Sequence, residues 1–169
     1  MTGLSRLYVT QAAHTSMVQH VELSGSTEAV GLLSGKGETA SACHPLGNLV
    51  GEGAFAAHPY DQYLAERAIA RAGAVLLAIY HSHPEGGLRM SSTDRGFAKR
   101  RNAVQIIVAT RQGRVSGIRA FALRGAREAP IPLIVVADTS VPGSVLSALD
   151  IPDEEGKCKM SIPHVQQLS

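Results

Sequence analysis

Val75-Leu76-Leu77-Ala78-Ile79-Tyr80-His81-Ser82-His83-Pro84 is the stretch on which the reading of this chain turns. Six apolar residues, a strand's length rather than a helix's, follow Gly73 and run straight into two histidines. Pro84 closes the strand because it has no N–H to donate. Strand side chains alternate, so His81 and His83 project to one face and Ser82 to the other. Two imidazole nitrogens can therefore converge. After the loop Gly86-Gly87-Leu88, Ser91 opens a helix that returns Asp94 to the strand end. Two histidines and a carboxylate leave a fourth position open on a tetrahedral zinc, as catalytic sites do. Iron suits such a triad too, but its oxygenase machinery is not visible here. Ser91-x-x-Asp94 also reads as a capping box with Asp replacing Glu, a role compatible with metal ligation.

Working outward, Leu4 to Val9 is a short apolar start, and Thr10 caps a helix to about Leu23 with Ala13, Met17 and Val21 on one face and Gly25 as its stop. Glu28 to Ser34 reads as a strand buried on both faces, turning at Gly35 to Gly37 into a partner from Thr39 to about His44. An acid at the head of an apolar core strand makes Glu28 conspicuous. Gly47 to Gly53 is loop by composition. Pro59 then opens a helix from Tyr60 to Ala72, with Tyr60, Leu64, Ala68 and Ile69 as its apolar stripe. Downstream, Val104 to Thr110 and Val115 to Leu123 form a hairpin about Gln112-Gly113, and Ile131 to Val136 is one further strand. The expected fold class is α/β, or α+β: a mixed sheet with flanking helices. Residues 1–137 make the domain and 138–169 a peripheral, partly mobile segment.

The composition narrows the function classes. The chain has 169 residues, 44% of them hydrophobic and 18% charged, which suits one globular domain and excludes a disordered chain. It is too short for a (β/α)₈ barrel of roughly 250 residues, the scaffold on which amidohydrolases carry His-x-His. No apolar run approaches a membrane span. Net charge is +2 and the aromatics are three Phe and four Tyr with no Trp, so no nucleic-acid partner is expected. The basic run Lys99 to Arg101 reads as a solvated face that can also attract an acidic carrier. Cys43 and Cys158 form no C-x-x-C and are expected to stay reduced. The first twenty residues lack signal-peptide features, so the expected location is cytoplasmic. His14, His20, His58 and His164 have no partner at ligand spacing and read as surface residues, while Cys43 and His44 face opposite sides.

Taken together, Glu28 in E-A-V-G-L-L-S-G, H-S-H-P at His81 to Pro84, six intervening residues and S-S-T-D at Ser91 to Asp94 resemble the JAMM (MPN-type) zinc metalloproteases. The likeness covers about Leu4 to Leu123 and implies a single domain of the JAMM/MPN, cytidine-deaminase-like fold. It also implies that His81, His83 and Asp94 hold one zinc, with Glu28 as general base and acid and Ser91 donating to the tetrahedral oxyanion. Ser82 is structural on this reading. The compact chain, with F-x-x-x-P at Phe55 to Pro59 and A-I-Y-H-S-H-P-E-G, is similar to the small prokaryotic branch. That likeness implies a peptidase or isopeptidase that cuts after the C-terminal Gly-Gly of a ubiquitin-like sulfur-carrier protein, removing a masking tail or releasing an amino acid such as cysteine. A carrier tail adding to a sheet edge near the zinc would exploit the small Gly86 and Gly87. The alternatives are a catalytically silent MPN scaffold, or a deubiquitinase-like isopeptidase acting on another ubiquitin-like protein; a homodimer is left open. Zinc deaminases share the acid-assisted design but need a P-C-x-x-C pair that this chain lacks.

Overall fold

A computed structural model describes residues 4–50, 56–98, 103–124 and 127–138. Its elements run β1 (Leu7–Thr10), α1 (Gln11–Ser24), β2 (Val30–Lys36), β3 (Thr39–Leu46), α2 (Pro59–Arg71), β4 (Val75–Pro84), α3 (Ser92–Ala98), β5 (Val104–Arg111), β6 (Arg114–Arg124), β7 (Arg127–Ile131) and β8 (Leu133–Val136). The eight described strands form one sheet in the order β7-β6-β5-β4-β2-β3-β1-β8. The apolar run before the histidines lies near its middle. β4 is parallel to β5 and antiparallel to β2, which gives the mixed sheet expected from the sequence. Phe55, Lys99 to Arg101, Cys158, His164 and the segment from residue 139 onward lie outside the described residues.

Register sorts the strand residues onto two faces. Gly31, Tyr80, Ile106 and Ala120 stand opposite one another across four strands, as do Val30, His81, Ile107 and Arg119 one residue along. The first row belongs to the core packed with Ala13, Met17 and Val21 of α1. On the other face, Val30, Leu32, Leu46 and Ile79 meet Ala65 and Ile69 of α2, while Ile107 and Phe121 meet Met90 of the preceding loop and Ala98 of α3. His81 therefore emerges between two helices on one face of a central strand. Local signals act as the sequence suggests: Thr10 Oγ1 accepts the Ala13 N–H at 3.4 Å, and Gly25 closes α1 at φ 62°. Gln112 and Gly113 both have positive φ, as a tight hairpin turn requires.

The lack of a side chain at Gly31 is structural. A Cβ there would clash with the Tyr80 ring, which is fully buried and places its hydroxyl 2.8 Å from His20 Nδ1. Gly31→Ala is expected to destabilise the fold by about 1–3 kcal/mol through overpacking, read as a lower urea midpoint. An unchanged midpoint would mean that the ring moves aside freely. The same contact corrects the surface reading of His20, which is half-buried because it partners a core hydroxyl. Cys43 faces the same core, with its Sγ 3.5 Å from the Tyr80 hydroxyl.

Two further expectations differ from the structure. The buried stripe of α2 is Ala65 and Ile69, whereas Tyr60 and Leu64 are 62% and 48% exposed and Ala68 is exposed as well. Asp61 explains the rotation: its carboxylate accepts the Gly47 N–H at 3.0 Å and turns the 61-65-69 row toward the sheet. The single strand expected from Ile131 to Val136 is broken at Pro132, which has no N–H for a ladder. Ile131 ends β7 at one end of the strand order, and Leu133 begins β8 at the other. Because one residue joins them, the sheet must curl until its ends nearly meet. Inside the curl, Glu22 of α1 accepts from Arg114 Nη1 and the Val115 N–H of β6, at 3.0 and 3.1 Å. Asp138, the last described residue, accepts the Ala12 N–H at 3.0 Å at the start of α1.

Candidate metal centre

The end of β4 and the first turn of α3 bring three donors together. His81 Nε2 lies 3.1 Å from His83 Nε2 and 3.2 Å from Asp94 Oδ1, and His83 Nε2 lies 3.4 Å from Asp94 Oδ2. Donors sharing one tetrahedral zinc at about 2.0–2.1 Å stand roughly 3.3–3.4 Å apart, so the spacing fits such an ion. Among the described residues these three form a group able to hold a metal. His81 is fully buried and Asp94 only 5% exposed, which favours a tightly held ion over an adventitious one.

The surrounding backbone fixes each donor. His83 Nδ1 is 3.0 Å from the Gly87 carbonyl, which only accepts, so Nδ1 carries a proton and Nε2 is the nitrogen that faces Asp94 and can bind a metal once its own proton leaves. Asp94 sits in the expected capping box: Ser91 Oγ accepts the Asp94 N–H at 3.1 Å, and Asp94 Oδ2 accepts the Ser91 N–H at 2.6 Å. The Ser91 hydroxyl acts there as an acceptor, which leaves its own proton available. Ser82 accepts the Ala29 N–H at 2.8 Å and donates its own N–H to the Ala29 carbonyl at 2.9 Å, stitching β4 to the segment that carries Glu28.

Glu28 lies just before β2 rather than inside it, and is half-buried. The Asn48 amide donates to its carbonyl at 2.9 Å, a positioning contact that the loop composition of 47–53 did not signal. Desolvation raises the Glu28 carboxyl above its ordinary value; His81 and His83 oppose this and Asp94 reinforces it. Burial alone would raise Asp94 as well. Hydrogen bonds from His81 and His83, with the His81 charge and the Ser91 N–H, outweigh it and hold Asp94 well below the carboxylate range. The Asp94 hydrogen bond also raises His83 against its partial burial, helped by the Gly87 carbonyl.

These shifts have signed consequences in the metal-free protein. The His83 contribution to stability is complete below its ordinary value of 6.5 and is lost as pH rises through its raised folded value. The Asp94 contribution is present above about 4 and is lost as pH falls through its lowered value. Metal must displace the His83 proton, so affinity is expected to weaken on acidification starting above pH 6.5, with proton release on binding. Calorimetric titration with zinc in buffers of different ionisation enthalpy measures that release. Binding with no proton release at pH 6.5 would remove His83 from the ligand set.

Gly86 shapes the same loop. A Cβ there would stand 2.9 Å from His83 Cβ, so Gly86→Ala is expected to shift the imidazole and weaken metal binding by about 10-fold, as loss of supporting contacts does at other metal sites. Beside the site opens a cleft of about 700 Å³, bordered by His83, Gly87, Ser91 and Gly117 and by two arginines, Arg89 and Arg119. The sequence did not single out either arginine, because one strand read alone does not reveal which neighbour it pairs with. Only the register places Arg119 on the His81 row.

Comparison with known families decides the affiliation. Residues 10–124 match the model of the prokaryotic homologs of the JAB domain. The chain belongs to that family. This JAB domain is also similar in fold to several solved structures. One, from Desulfitobacterium hafniense, is 23% identical with TM-score 0.68, the match covering 78% of this chain and 94% of that one. Another, from Salinibacter ruber, is 22% identical with TM-score 0.57 over 94% of this chain and all of the other. A JAB1/MPN domain protein from Archaeoglobus fulgidus is 16% identical with TM-score 0.52, over 78% of this chain and all of that one. A comparison with curated proteins finds no match. No described helix of the JAB domain is long and apolar enough to cross a membrane.

Proposed function

We propose that this JAB domain is a zinc metallopeptidase or isopeptidase that hydrolyses the bond after the C-terminal Gly-Gly of a ubiquitin-like sulfur-carrier protein, in the cytoplasm. The observation that carries the reading is the convergence of His81, His83 and Asp94 beside an open cleft, with Glu28 next to Ala29, whose N–H and carbonyl are both bonded to Ser82 between the two histidines. When bound, zinc would supply Lewis acidity and an acidified water. The residues of the chain account for the rest. Glu28, raised by desolvation, takes a proton from the attacking water and returns it to the leaving amine as the carbonyl–nitrogen bond breaks. Ser91 Oγ already accepts from the Asp94 N–H and so directs its own proton toward the developing oxyanion. Gly86 and Gly87 keep the approach beside His83 narrow in side chain, which suits a Gly-Gly tail.

Mass spectrometry of a Gly-Gly-ending carrier bearing a short C-terminal extension, after incubation with the zinc-loaded protein, tests this directly. The expected product is the carrier shortened to its Gly-Gly end. An intact carrier that still binds the protein would instead assign a scaffold role, the catalytically silent alternative.

A further inference from the structure

We infer that the cleft beside His83 is a leaving-group subsite built for a carboxylate, with Arg89 and Arg119 as its recognition residues. The inference rests on the hydrolase reading for its name and on the cleft's own chemistry for its content. Among the described residues that line it, two are arginines and none is Asp or Glu. Other arginines nearby are neutralised: Arg95 pairs with Glu128 at 2.8 Å, and Arg114 with Glu22 at 3.0 Å. Among the described residues no carboxylate pairs with Arg89 or Arg119. Both are exposed, so neither needs a partner to stay folded. Two guanidinium groups on one cleft without an acid make a positive pocket that an anion would complete.

Position ties that pocket to the reacting centre. Arg119 lies in the cross-strand row His81, Ile107, Arg119, two strands from the buried ligand and so about 10 Å away at the backbone. The adjacent row is His83, Ala109, Gly117, which offers only a methyl and a hydrogen between the metal ligand and the far wall. Leu88 packs over Gly117, where a Cβ would stand 2.9 Å from its Cδ1, so the floor is closed to larger side chains there. A group leaving from the site would cross this shallow floor toward the guanidinium of Arg119, with Arg89 on the loop above. The α-carboxylate of a single released amino acid lies on the same residue as the scissile amide nitrogen, two bonds from it. The side chain of an acidic residue at the same position presents the same chemistry.

Three synthetic peptides separate these sources: acetyl-Leu-Gly-Gly-Ala with a free carboxylate, the same peptide as its carboxamide, and acetyl-Leu-Gly-Gly-Asp carboxamide. Their dissociation constants are measured by calorimetry with the zinc-loaded Glu28→Gln protein, and kcat and KM with the wild type. The free carboxylate is expected to bind about 10-fold more tightly than the carboxamide, with the advantage in KM. That ratio should fall toward one in Arg119→Gln and be partly retained in Arg119→Lys. Preference for the alanine carboxylate alone assigns release of a single amino acid, and equal preference for the aspartyl peptide assigns an acidic tail; both support the subsite. Equal binding of all three, or binding of none, overturns it. If the peptides are cleaved but show no carboxylate preference, the subsite fails and the hydrolase reading stands. If the preference is present in binding but nothing is cleaved, the hydrolase reading fails and the anion subsite stands.

Discussion

Glu28→Gln is expected to leave the metal in place and reduce cleavage of a Gly-Gly-linked extension by about 10²- to 10⁴-fold, the range over which a positioned acid or base acts. The substitution is nearly isosteric, and the contacts that hold this segment are made by its backbone. Asn48 binds the Glu28 carbonyl, and Ser82 binds both the N–H and the carbonyl of Ala29. The amide should therefore occupy the carboxylate's place without taking a proton. The raised carboxyl makes Glu28 a stronger base than an ordinary surface acid, and desolvation is the main cause. Zinc content by atomic absorption and cleavage by mass spectrometry separate the outcomes. Activity equal to wild type would remove Glu28 from the proton transfer, and loss of zinc together with activity would move it into the ligand set.

How much of this was legible in the sequence follows from which signals are local. The apolar run into His81, the Thr10 and Ser91 caps, and the Gln112-Gly113 turn act within a few residues, and each stands in the structure where the sequence places it. The pairing of His81 with His83 on one face is the same kind of signal, because it needs only strand alternation. What failed depends on distant partners. Gly47 turns α2 through Asp61, so the face read from periodicity alone was offset from the buried one. Ile131 and Leu133 are neighbours in sequence yet belong to opposite ends of the sheet, which the Pro132 break allows but does not announce. Arg119 joins the row of His81 only through β5, so two strand registers had to be known before it could be seen beside the site.

Replacing a ligand should have the other large effect. Asp94→Ala and His81→Ala are each expected to weaken zinc binding by more than 100-fold, since changes to merely supporting contacts at metal sites already cost about 10- to 100-fold. Asp94 carries two roles, however. Removing its carboxylate also removes the acceptor of the Ser91 N–H, and a lost cap alone costs about 1 kcal/mol of stability. Asp94→Asn separates the two, because an amide oxygen still accepts that N–H while the negative charge that draws His81 and His83 together is gone. The expected result is a protein of near wild-type thermal stability without metal, whose zinc affinity has fallen as far as that of the alanine variant. If Asp94→Asn held stoichiometric zinc at the wild-type affinity, Asp94 would be a helix cap only, and the metal would rest on the two histidines. His81→Ala then gives the independent check: with its side chain at the buried centre of the triad, a retained metal in that variant would dismiss the site altogether.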